Sequence, residues 1–593
     1  MAKKPGEPPS GDPWSASTVT GPTGARSIRL PLLVAVTLGL LLSALPHLVA
    51  YAKTGSSHWV ADSDELSLYL PVSARLYHGE GFELLDPVSP DPAPTVYPWS
   101  QLAPATVMAR SLRSGPLSVS VIWRAIAGLT VSLGWFLLFH YWTRSGWLAC
   151  AATILLMADS ELLTGRLILR QLLITADLLS GGAEHLLATK PNLMPQWRIM
   201  TPGLSLGFLI AYSWALLRAL DDRGRAAIAL AGTAFGMLFY VYLYYWTAAG
   251  LSLLACAAFF PRDRAVFVTT GAIGCILGAP AVIAAYLFRA NWSADWLART
   301  DKFVEIGHFQ ELLIPKAGPL LALVATVYAL TRQPRLRFLV VHVGAGLLLL
   351  NHQLVSGLQI ENFHYSYFWG PLCSAVLVLG GLDLYRAACR RLGTRTPAVI
   401  LIGLAVVQLT SGFYLRVRES TASRESVQIN SEIAAFNHTQ AEHPVPKVSL
   451  AVMAGDAAYL RLAAVLENQR PLVGWTVVFS EAVDDEQWSE RLALNAVMSG
   501  DDERSFRAAQ TQLLESNVWG PWARDPRLER ELLQARLTKF RWAETNVAAA
   551  LARYNVTYLV IARGAVPNAY IARNWDETRS GKWSVWANPH LPN

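Results

Sequence analysis

Uninterrupted apolar runs alternate with short polar turns from about residue 30 to residue 414, after which apolar and charged positions are mixed. Runs of roughly 17 to 24 apolar residues suit helices in hydrocarbon, where each backbone N–H and C=O must be satisfied within its own segment. They predict membrane helices over 30–51, 117–141, 146–158, 203–219, 226–243, 247–260, 265–288, 314–330, 337–353, 366–385 and 397–414, about eleven in all. The first run is too long for a signal-peptide core and lacks a convincing cleavage site, so it is expected to stay as a membrane helix.

Beyond residue 415 the pattern predicts helices over 423–436, 457–467 and 503–514, a helix-rich stretch over 528–551, and strands over 448–453, 472–479 and 556–562. Strands alternating with helices indicate an α/β domain over 416–593. Residues 1–28 are dominated by Pro, Gly, Ser and Thr and have almost nothing to bury, which predicts a disordered tail. The expected fold is thus a polytopic α-helical membrane domain over 29–415, followed by the α/β domain.

Composition sharpens this reading. The chain of 593 residues is 53% hydrophobic and 16% charged, against about 25% charged residues in soluble domains. Its net charge of +7 raises the question of nucleic acid, but the cations sit in short turns and form no basic groove, so no nucleic-acid partner is expected. Lys and Arg gather before the first predicted helix and after the second, fourth, sixth, eighth and tenth. If those alternate turns face the cytoplasm, the N-terminus is cytoplasmic. Large loops over 52–116 and 159–202, and the C-terminal domain, are then on the exterior side of the membrane. The five cysteines all lie in or beside membrane segments, and none forms a CxxC pair.

Candidate chemistry falls on the outer side. Directly after the first helix, Ala61-Asp62-Ser63-Asp64-Glu65 puts three carboxylates within four positions. Such groups are hydrated, paired with cations or used. A carboxylate held near a hydroxyl is a general base, and Asp62 and Asp64 would also suit a divalent cation, Mg or Mn. Arg166 and Arg170 are four residues apart in an apolar segment of helical spacing, and Arg198 precedes the fourth helix. Outer cations of this kind suit lipid phosphate.

Aromatic residues 239–246, including Tyr244, read either as an interfacial belt or as a platform for sugar rings. The loop 351–365 carries Asn351, His352, Gln359, His364 and Tyr365 at the mouth of the bundle, where polar groups are costly unless they bind something. The two histidines lack acidic neighbours at metal-ligand spacing. GxxxxGK[ST], HExxH, GxSxG and dinucleotide-binding patterns are absent.

The acidic loop after the first helix (ADSDELSLYLP), the many further helices and the outer C-terminal domain together resemble the GT-C superfamily of membrane glycosyltransferases. Arg198-Ile-Met-Thr-Pro-Gly and NHQLVSGLQIENFHYSYF are similar to segments of bacterial members. The resemblance implies an enzyme that moves a sugar from a polyprenyl-phosphate donor, by inversion, to a glycan, lipid or protein acceptor on the outer face. It puts the acidic loop residue at Asp62 or Asp64 with Glu65 beside it, and offers Arg166, Arg170 and Arg198 for the lipid phosphate. A lipid or polysaccharide transporter or flippase would use a similar bundle, but would want polar groups at the membrane midplane and paired broken helices. A noncatalytic assembly subunit would leave the acidic loop without a task.

Overall fold

A computed structural model describes residues 23–60, 64–80, 99–158, 195–199, 202–289, 304–305, 328, 334–359, 362–393, 395–422, 424–442, 452–474, 478, 480, 482–516 and 526–589. Its helices are α1 (Thr23–Thr54), α2 (Leu70–His78), α3 (Trp99–Ser111), α4 (Ser118–Thr143), α5 (Gly146–Met157), α6 (Gly203–Asp222), α7 (Arg225–Val241), α8 (Leu243–Phe259), α9 (Arg264–Arg289), α10 (Arg337–Leu350), α11 (Ser366–Leu392) and α12 (Arg395–Ala422). All but α2 and α3 coincide with predicted membrane helices. The remaining predicted helix, 314–330, lies outside the described residues apart from residue 328.

By length and composition, α1, α4, α6, α9 and α11 can each cross a membrane, and α5, α7, α8, α10 and the centre of α12 are shorter apolar helices. The chain is therefore a multi-spanning membrane protein. Its outward surface agrees: Ile276, Tyr286, Leu348 and Val399 are exposed, an arrangement that hydrocarbon tolerates and water opposes. Within the bundle, α4 packs against α1, α5 and α6, and α7 packs against both α6 and α9.

Contacts between turns fix one end of the bundle. Tyr141, at the end of α4, donates to Asp221 at the end of α6 at 3.1 Å, and Arg335 ahead of α10 pairs with the same carboxylate at 3.2 Å. Trp142 donates to Asp383 in the second half of α11 at 3.2 Å. Turns after the second, fourth and eighth predicted helices thus meet, with α11 beside them.

The C-terminal region adds α13 (Arg424–Glu442), β3 (Val452–Gly455), α14 (Ala457–Leu466), β4 (Arg470–Pro471), α15 (Asp485–Met498), α16 (Glu503–Ser516), α17 (Pro526–Thr545), α18 (Val547–Tyr554), β5 (Val556–Ala562), α19 (Ala569–Asn574), β6 (Asp576–Ser580) and β7 (Trp583–Ala587). Earlier in the chain β1 (Val304–Glu305) pairs with β2 (Leu358–Gln359). The main sheet has the order β4-β3-β5-β7-β6, with β3 parallel to β4 and β5, and β7 antiparallel to β5 and β6.

Of the strand expected over 472–479, the described residues 472–474 are not part of the sheet, and residues 475–477 and 479 lie outside the described residues. Pairing stops at Pro471, and Gly474 at φ +138° turns the chain away from extension. Asp456 caps α14 by accepting from Ala458 N and Tyr459 N at 2.9 and 3.0 Å. Asp484 and Asp502 start their helices in the same way, each accepting a backbone N–H at 2.7 Å.

The C-terminal region rests on the segment between α1 and α4. A single apolar cluster contains Leu66, Leu70 and Leu102 from that segment together with Phe436, Tyr459 and Trp583 from the C-terminal region. At its edge Asn468 donates to Glu80, whose carboxylate also receives Arg75 Nε at 2.7 Å.

Candidate active site

The site begins at a change of helical pitch. Residues Glu65–Tyr69 form a π-helical turn that runs into α2, and Leu70 N–H bonds to Glu65 O across the wider ring. Pro71, inside the first turn of α2, has no N–H to return to Ser67, so the tighter α-helical bond is unavailable at this point. Wide turns of this kind often mark functional sites. Here the turn separates two adjacent carboxylates, placing Glu65 in the protein and Asp64 at its surface.

Glu65 is locked. Its side chain is 1% exposed and its partner Arg124, in the second turn of α4, is 0% exposed. Arg124 Nη2 meets Glu65 Oε2 at 2.5 Å and Nη1 meets Oε1 at 3.0 Å, a two-pronged pair. Ser120 donates to the same carboxylate and receives Arg124 Nη1 at 2.6 Å. His47 Nε2 lies 3.0 Å from Nη1, Trp197 O accepts from Nε at 2.7 Å, and the guanidinium lies 4.7 Å from the Trp59 ring centroid.

Asp64 is not held in this way. Its Oδ2 lies 3.4 Å from Arg198 Nη2, with the two side chains 29% and 19% exposed. Arg198 is supplied by the short turn Pro195–Trp197, which is anchored by Trp197 Nε1 donating to Leu42 O at 3.0 Å. Its Nη1 donates to Tyr367 Oη at 2.8 Å, and its guanidinium lies 5.8 Å from that ring. The Tyr367 ring in turn meets His364 edge-on at 5.4 Å.

His364 Nδ1 bonds Tyr242 Oη, and its ring lies 5.0 Å from that of Tyr244, which meets Tyr365 edge-on at the same distance. An unbroken series of contacts therefore runs from Asp64 through Arg198 and Tyr367 to an aromatic wall.

The two ion pairs differ in strength for reasons of solvation. Separating a buried pair leaves an uncompensated charge at about 3–5 kcal/mol. A partly hydrated pair contributes about 0–1 kcal/mol. Opening the Asp64–Arg198 contact therefore costs far less than opening Glu65 from Arg124.

Asp64, Arg198, Tyr244, His364 and Tyr365, all singled out from the sequence, are thus brought together. Asp62, Arg166 and Arg170 lie outside the described residues, as does the side chain of Gln359, whose backbone pairs with Val304. His352 bonds Ser356 Oγ at 2.9 Å and its ring meets that of Tyr365 edge-on at 6.1 Å. Sequence reasoning missed Arg124 and Tyr367, whereas Tyr242 fell within the aromatic run 239–246. Arg124 carried a signal, being an ionisable residue within an otherwise apolar membrane helix.

No protein-family model matches the chain, and no curated protein matches it. Among solved structures it is similar to the crystal structure of ArnT from Cupriavidus metallidurans bound to undecaprenyl phosphate. The identity is 11%, the match covers 95% of this chain and 99% of that one, and the TM-score is 0.49. Chemistry is decided by side chains and not by a likeness of that size.

Among the described residues no three His, Cys, Asp or Glu side chains converge where a metal ion could be held. The group facing Asp64 at 3.4 Å is a guanidinium, and Asp62, the other carboxylate considered for a cation, lies outside the described residues.

Proposed function

We propose that the chain is a membrane glycosyltransferase of the GT-C type, taking sugar from a polyprenyl-phosphate donor at the outer face of the membrane. The observation that carries this reading is the meeting of Asp64 and Arg198. They are 134 residues apart in sequence and 3.4 Å apart in space, half-buried at the end of an apolar bundle and bordered by aromatic rings.

The carboxylate is the general base. A donor entering between the two groups replaces their weak pair with two stronger contacts, guanidinium to phosphate and carboxylate to acceptor hydroxyl. Asp64 then takes the proton as the hydroxyl oxygen attacks the anomeric carbon. The bond to the phosphate oxygen breaks on the opposite side, and Arg198 stabilises the negative charge that develops there. Tyr244, His364 and Tyr365 offer ring faces and polar tips to the sugar. Arg166 and Arg170 remain candidates for the lipid phosphate, Asp62 for a second carboxylate and Gln359 for a sugar hydroxyl. Glu65 supports the site from within. The N-terminus is cytoplasmic and the C-terminal domain external in this reading.

Purified protein in lipid, given a polyprenyl-phosphate sugar and membrane-derived acceptors, is expected to transfer sugar. Asp64→Asn should lower turnover about 10²–10⁴-fold, and Arg198→Ala about 10²–10³-fold. Unchanged turnover in Asp64→Asn, and again when Asp62→Asn is added, would remove the general base and with it the mechanism.

A further inference from the structure

Asp64 and Arg198 sit on segments that have no regular structure in common. One begins the π turn after α1, the other follows a short turn ahead of α6. Their own contact is long and partly hydrated, too weak to hold two segments in register. Something else must set the distance between them.

Each has a neighbour that points inward. Glu65 follows Asp64 and Trp197 precedes Arg198, so each neighbour's Cα is about 3.8 Å from the reacting residue's own. Both neighbours end on the same guanidinium: Arg124 reaches Glu65 through Nη1 and Nη2 and the Trp197 carbonyl through Nε. The fork is itself fixed by Ser120 one turn back on α4, by His47 from α1 and by the face of Trp59. His47 is tied in turn to the chain leading into the acidic loop, its Nδ1 lying 2.6 Å from Ser57 O.

We propose that Arg124 is the positioning residue of this site, a buried guanidinium that ties the residue beside Asp64 to the residue beside Arg198 and so sets the gap into which the substrate fits. The role rests on the functional reading above, but the geometric part stands without it. Guanidinium geometry is what the task requires. It carries five donors in a rigid plane, so it can serve a carboxylate with one edge and a carbonyl with another. A lysine supplies the charge but not the fork.

The test separates geometry from turnover. Asp64→Cys with Arg198→Cys places two thiols on the facing segments of the full-length protein in lipid, and mild oxidation followed by peptide mapping reads the specific crosslink. With Arg124 intact the crosslink is expected to form. With Arg124→Lys it should be lost, although the positive charge is retained.

Arg124→Gln alone leaves Glu65 buried without its cation, and that variant can fail to fold. Glu65→Gln combined with Arg124→Gln removes both charges and keeps the membrane domain assembled, as judged by a single thermal transition. In this folded pair, loss of the crosslink is expected. With Asp64 and Arg198 restored, kcat should fall about 100-fold, the effect of misplacing reacting groups by about an ångström, with a smaller change in KM. A folded double variant that retains both the crosslink and kcat overturns the proposal. If the crosslink depends on Arg124 but the unaltered protein transfers no sugar, the positioning stands and the glycosyltransferase reading fails.

Discussion

Asp64 and Glu65 are chemically alike and adjacent, yet one is half-buried beside Arg198 while the other is enclosed by Arg124, Ser120 and the protein interior. The acidic loop was legible in the sequence because three carboxylates at a helix end are unusual. Which of them remains accessible was not, since that depends on the π turn and on a partner in another helix. Gly203 shows the same limit. A Cβ there would lie 1.8 Å from Trp123 Cη2 and 2.4 Å from Arg198 O, so helix α6 can start beside Arg198 only without a side chain. Gly203→Ala is expected to destabilise the membrane domain by about 1–3 kcal/mol and to reduce turnover by shifting Arg198. Thermal unfolding in detergent and the transfer assay measure the two effects, and an unchanged midpoint would show that Trp123 has room to move.

Elements were legible in proportion to their length. Apolar runs long enough for membrane helices identify themselves, and strand β5, with the sequence VTYLVIA, is apolar and β-branched enough to be recognised. The edge strand β6, with the sequence DETRS, has no apolar alternation and is defined by its pairing with β7. Helix α15 likewise depends on distant partners. Its buried Glu490 accepts Lys539 Nζ at 2.8 Å from α17 and Tyr554 Oη at 2.5 Å from α18, and pairs with Arg553 at 2.9 Å.

Burial pushes the Glu490 carboxyl upward, but the Lys539 and Tyr554 hydrogen bonds and the nearby cations outweigh it, so its pKa falls below the ordinary glutamate value. The stability this gives is fully present above the unfolded pKa of about 4.3 and disappears as pH falls through the lower folded value. Glu490→Gln should cost about 1–3 kcal/mol at neutral pH, and the difference from the unaltered protein should shrink below about pH 4. Denaturant unfolding across pH would reveal this, and a constant difference would contradict it.

At the scale of the molecule, two chain regions that look independent share an interior. The sequence marks a boundary near residue 415, where apolar runs give way to mixed segments, but it cannot show that Phe436, Tyr459 and Trp583 pack with Leu66, Leu70 and Leu102. A cut after residue 422 would uncover that apolar surface, with each large side chain re-exposed at about 1.5–3 kcal/mol. The shortened chain keeps every described apolar helix that precedes the cut, yet it is expected to aggregate in detergent. A monodisperse, heat-resistant product on size exclusion would show that the membrane part stands alone.

The position of Arg124 also bears on biosynthesis. An arginine entering hydrocarbon without a partner carries a penalty of about 2.5–3.5 kcal/mol at a helix centre, but the ribosome has already delivered His47 and Glu65 when this one emerges. The Trp197 carbonyl follows 73 residues later. Two of the cation's partners thus precede it in order of synthesis, and the last is added only when the fourth predicted membrane span is about to be made.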